Sequence, residues 1–225
     1  MSTRPHFSVA GIPVRVEPVF FVLAGLLGLR YAEVDVILVP VWIGVTFVSI
    51  LVHELGHGLA LKAFGHPSSI VLHGFGGVTL SRRRLGKARS VMVSLAGSVV
   101  ALALLWAPAS VLDGSDWFWE KDVWLRGVIH FTAFANLWWS LANLLPIRPL
   151  DGGSVVTELF GSPVARRVSL VVAGGAGVWA IANEQPYAGI FALYLAWLSY
   201  QEIQAERTGH QPRSAFDVDG PAPPH

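Results

Sequence analysis

Ile50-Leu51-Val52-His53-Glu54-Leu55-Gly56-His57-Gly58-Leu59-Ala60-Leu61 sets an H-E-x-x-H motif inside a run of apolar residues. Nothing in 36–52 is charged, so the run reads as a membrane helix. An ionisable group at mid-bilayer depth costs about 2.5–3.5 kcal/mol on insertion scales, and a glutamate between two histidines there is read as functional. On a helix, His53 and His57 lie one turn apart on one face, so both imidazoles can reach a single metal ion. Structural zinc takes four protein ligands, whereas catalytic zinc takes three and keeps one position open. A further His, Asp or Glu is therefore required, because the chain has no cysteine.

Asn143-Leu144-Leu145-Pro146-Ile147-Arg148-Pro149-Leu150-Asp151-Gly152-Gly153 is the second informative segment. Its prolines interrupt an apolar helix, and irregular backbone at membrane depth survives only where it lines a protein or water-filled cavity. Asp151 is the best candidate for the third ligand. The bland alternatives are a buried hydrogen-bonded His53–Glu54 pair in a non-catalytic bundle, and an Asp151 that merely caps a helix beginning near Ser154. Asn136 and Asn143 share a helix face, where interhelical hydrogen bonding is the ordinary role; Asn136 is assigned to it and Asn143 to function. His73 and His130 have no partner at ligand spacing and are read as polar loop or packing residues.

H-E-L-G-H in one membrane helix, followed about ninety residues later by N-x-x-P-x-x-P-L-D-G-G, resembles the site-2 proteases, zinc metalloproteases that cut substrates within the membrane. Gly11-Ile12-Pro13-Val14, Gly74-Phe75-Gly76-Gly77 and Leu95-Ala96-Gly97 also resemble family elements, so the likeness spans residues 9 to 204. One departure is Ser98, where the family usually has proline; the position stays small. The resemblance implies one zinc ion per chain held by His53, His57 and Asp151, with Glu54 as general base. It also implies that Asn143 holds substrate backbone or polarises the scissile carbonyl, and Gly76 and Gly77 become candidate substrate-binding positions.

Composition agrees with a polytopic membrane protein. Of 225 residues, 53% are hydrophobic and only 14% charged, below the usual quarter for a soluble domain. A net charge of +1 gives no sign of a nucleic-acid partner. The expected fold is all-α with about six transmembrane helices, near 16–32, 36–64, 91–112, 124–145, 168–182 and 187–200, the last two short enough to form an embedded hairpin instead. Ser90, Ser94 and Ser98 recur every four residues on one face of the third, as close helix packing prefers. With both termini in the cytoplasm, thirteen of the basic residues fall inside and three, Arg30, Lys121 and Arg126, outside. The basic run Arg82-Arg83-Arg84-Leu85-Gly86-Lys87-Ala88-Arg89 has the composition of an anionic-lipid site, but this asymmetry alone explains it. The plasma membrane is the expected location.

Ser69 to Leu80 carries two β-branched runs around a glycine-rich turn and reads as a membrane-associated β-hairpin. Its exposed edge is expected to receive an unwound substrate as an added strand. Residues 1–204 form the expected catalytic core and 205–225 a disordered cytoplasmic tail. The function expected is an intramembrane zinc endopeptidase acting on membrane-protein substrates in the lipid bilayer. The alternatives are a metal or proton transporter using His53, Glu54 and His57, and an inactive helix-binding scaffold. Oligomeric state is not legible.

Overall fold

In the computed structural model, residues 5–74, 76–81 and 85–207 are described. Phe75, Arg82–Arg84 and all but the first three residues of the expected tail lie outside them. The chain opens with β1 (Phe7–Val9) and β2 (Ile12–Val16). Their tight turn places Ala10 and Gly11 at φ of 51° and 77°, the positive values that a two-residue hairpin of right-handed strands demands. α1 (Pro18–Gly28) then starts with proline in its first turn, where no backbone donor is lost. A 3-10 turn (Leu29–Glu33) leads to α2 (Leu38–Ala63), which carries the metal motif.

β3 (Ser68–His73) and β4 (Gly76–Ser81) follow, giving a four-stranded sheet ordered β1-β2-β3-β4. This corrects the expected isolated hairpin. β3 and β4 do pair antiparallel, with Val71 opposite Val78, but β2 joins β3 in parallel through Val14 opposite Ile70 and Val16 opposite Leu72. A parallel pair needs a long crossover, which α1 and α2 supply. Ile12, Val14 and Val16 alternate inward and meet Ile70 and Leu72 over Phe20 of α1 and Ile50 of α2. The sheet is thereby fixed to the helix that bears His53.

α3 (Lys87–Ala101) runs through a π-helical turn (Leu102–Trp106) into α4 (Ala107–Asp113), and α5 (Asp116–Trp119) is a short connection. α6 (Val123–Asn143), α7 (Asp151–Phe160), α8 (Ser162–Ala182) and α9 (Pro186–Arg207) complete the fold. Gly56 and Gly97 allow α2 and α3 to touch backbone to backbone: a methyl group on Gly56 would lie 2.7 Å from the Ala96 carbonyl oxygen. Ser98 beside this crossing is 1% exposed, in keeping with the small position expected there. Asn136 ties α6 to α2 by donating to Ser49 Oγ at 2.9 Å, the structural role assigned to it.

Among the described residues, three helices are long and apolar enough to cross a membrane: Leu38–Ala63, Lys87–Asp113 and Ser162–Ala182. Large apolar side chains on them face outward, Val171 being 73% exposed, as a hydrocarbon solvent permits. The chain is a mostly helical integral membrane protein with a small sheet. The first expected span is much shorter than anticipated. Val16 belongs to the sheet, and α1 has 11 residues, about 16 Å at 1.5 Å per residue against a hydrocarbon core of about 30 Å. α6 and α9 have the length, but Arg126, His130, Asn136 and Asn143 dilute the first, and Gln201, Glu202, Gln204 and Glu206 the second.

Candidate metal centre

His53 and His57 are both buried on the inner face of α2, with their Nε2 atoms 3.2 Å apart. Asp151, the first residue of α7, brings Oδ2 to 3.2 Å from His53 Nε2 and 3.4 Å from His57 Nε2. The ligand atoms of the three residues all lie within 4.8 Å of one another. The residue at the cap position of α7 is Leu150, so Asp151 is not the N-cap of that helix.

The loop between α6 and α7 delivers Asp151 by close backbone packing. A methyl group on Gly152 would run into the Leu144 and Leu145 carbonyls, and one on Gly153 into the Ile147–Arg148 peptide. Only glycine fits. Buried Ser169 of α8 holds the loop from the other side, accepting from the Arg148 backbone N–H at 2.9 Å. Arg148 also pairs with Glu202 of α9 at 3.2 Å. Neither Ser169 nor Glu202 carries a motif signal, because each acts through the backbone or side chain of a residue outside the triad.

The protonation pattern fits a cation. Val93 O, 2.7 Å from His57 Nδ1, can only accept, so Nδ1 carries the proton and Nε2 presents a lone pair. Asp151 Oδ2 is buried without a hydrogen-bond donor among the described residues. Two imidazole Nε2 atoms and a carboxylate oxygen, 3.2 to 3.4 Å from one another, thus gather at one point, an arrangement that a bound metal ion satisfies. Two histidines and one carboxylate, with no fourth protein ligand among the described residues, is the composition of a catalytic zinc site.

Glu54 is 5% exposed and lines the same cavity of about 330 Å³ as the triad. Its Oε2 accepts from Thr79 Oγ1 at 2.7 Å. Gly77 of β4 lies directly over it: an added Cβ would sit 2.8 Å from Glu54 Cδ. Asn143 also lines the cavity and donates from Nδ2 to Trp139 O at 2.9 Å, leaving a second amide hydrogen and its carbonyl oxygen. Gly76, at φ 129°, packs beneath the Trp139 ring. His73 at the end of β3 lines the cavity outside the ligand cluster, and His130 is elsewhere, paired with Asp113 at 3.1 Å. Thr79, Trp139, Phe191 and Tyr194 are cavity residues that motif reading passes over.

No family model matches the chain. It is 30% identical over 239 residues to a protein of Synechocystis named as a zinc metalloprotease, covering 94% of this chain and 61% of that one. It is 26% identical over 173 residues to a zinc metalloprotease of Methanocaldococcus jannaschii, covering 76% and 49%, and 28% identical over 177 residues to Rip3 of Mycobacterium tuberculosis, also named as a zinc metalloprotease, covering 71% and 44%. The chain thus spans between 44% and 61% of the length of these relatives. In structure it matches the site-2 protease from Methanocaldococcus jannaschii with a TM-score of 0.60 and 21% identity, over 87% of this chain and 93% of that one, which establishes the fold. In its motifs, its relatives and its fold, the chain is similar to the site-2 proteases.

Proposed function

We propose that the chain is a zinc-dependent intramembrane endopeptidase that hydrolyses peptide bonds in membrane-spanning segments of substrate proteins near the cytoplasmic face. The observation that carries this reading is the convergence of His53, His57 and Asp151 on one point, with Glu54 lining the same buried cavity. The three residues would hold one zinc ion, whose chemistry is to acidify water to a pKa of about 7 and to polarise a peptide carbonyl. Glu54 takes the proton from the attacking water and hands it to the leaving amine. Asn143 offers its free amide hydrogen to the substrate carbonyl or backbone.

A peptide bond in a regular helix is shielded by its own hydrogen bonds, so the substrate has to be held extended. β4 supports this step, because it ends the sheet and has no further partner strand among the described residues. An unwound segment adds there as a fifth strand, with Gly76 and Gly77 at the strand's entry. Six spans, cytoplasmic termini and a plasma-membrane location complete the reading, supported by the basic-residue asymmetry of the sequence. Residues 1–204 serve as the catalytic core. Relatives named as metalloproteases favour hydrolysis over ion transport or a passive scaffold.

The test is cleavage of a membrane-helix reporter by purified protein in liposomes, with and without a chelator. Chelation is expected to abolish cleavage and zinc to restore it. Cleavage that persists after metal removal would contradict the proposal.

A further inference from the structure

Thr79 and Gly77 are two apart on β4 and present the same face to α2. Both meet Glu54. The Thr79 hydroxyl lies 2.7 Å from Glu54 Oε2 and 3.0 Å from the Glu54 backbone oxygen. A hydroxyl has one proton, and the nearer carboxylate oxygen is the better-placed acceptor. On the other side Gly77 leaves the space in which the Glu54 side chain lies: a methyl group there would collide with Cγ and sit 2.8 Å from both Cδ and Oε1. β4 thus encloses the carboxylate, and pairing of Thr79 with Ile70 of β3 fixes the strand that does so.

We propose that Thr79 is a positioning residue that holds the Glu54 carboxylate in its working orientation, so that β4 is part of the proton-transfer apparatus as well as a candidate substrate-receiving edge. The inference rests on the reading of Glu54 as the proton acceptor. A glutamate has several rotamers, and a carboxylate beside a bound metal would have a competing place to go, as a further ligand. A hydrogen bond to Oε2 opposes that movement and holds the carboxylate against β4. Threonine suits the task because branching at Cβ restricts its rotamers and favours a strand. The arrangement also links two steps: a substrate added to β4 would bear on the strand that carries the Thr79 hydroxyl.

The experiment compares full-length wild type, Thr79→Val, Thr79→Ser and Glu54→Gln in liposomes with one membrane-helix reporter, reading kcat, KM and bound zinc separately. Thr79→Val keeps the shape and removes the hydroxyl; kcat is expected to fall about tenfold or more, with KM and zinc content unchanged. Thr79→Ser is expected to recover most of that loss. Wild-type kcat in Thr79→Val, beside an inactive Glu54→Gln, overturns the positioning role alone. Loss of zinc in both Thr79 variants also overturns it, because Thr79 would then serve the fold. Activity surviving in Glu54→Gln overturns the base assignment, and the positioning role with it.

Discussion

Asp151→Ala separates ligation from helix capping. A cap is worth about 1 kcal/mol of stability, whereas loss of one of three ligands should weaken zinc binding by orders of magnitude and remove activity. Isothermal titration with zinc on folded Asp151→Ala protein is the check, and wild-type affinity would refute ligation. His73→Ala and His130→Ala should each retain zinc, since neither side chain belongs to the ligand cluster. At this scale the sequence was most informative about residues whose chemistry is costly in a membrane: His53, Glu54 and His57 stand out among apolar neighbours, and Asp151 beside a broken helix. Thr79, Ser169 and Trp139 did not stand out. A threonine in a strand and a serine or a tryptophan in an apolar helix are each ordinary there, and only the fold brings them to the base, the loop or the cavity.

β4 carries the element-scale prediction. Val71 lies on β3, paired with both Arg15 and Val78, so proline there would break the interior of the sheet, whereas Val78 lies on the terminal strand. Val78→Pro is expected to reduce cleavage while leaving zinc content near one per chain, and substrates with helix-breaking residues near the scissile bond should be cut faster. Unchanged rates in both comparisons would remove the strand-addition step. The hairpin was legible from β-branched runs around glycine, but β1 and β2 were not. Ile12-Pro13-Val14-Arg15-Val16 alternates correctly, yet it is short, contains proline and runs into the apolar α1, so it reads as the approach to a span. Its partner β3 lies more than fifty residues away, and a parallel pairing of that separation leaves no local signal.

For the whole molecule, the motif spacing made the family and the membrane class legible, while the number of spans was less so, because α1 is short and α6 and α9 mix polar residues into apolar helices. One buried cavity joins a metal site to proton transfer, and the two are separable. The most direct measurement is zinc content and reporter cleavage of Glu54→Gln beside wild type, in the same liposomes. All three ligands remain in that variant, so about one zinc per chain should be bound while cleavage falls by at least two orders of magnitude. Substantial cleavage by Glu54→Gln would contradict the account, as would a wild-type protein that binds no zinc.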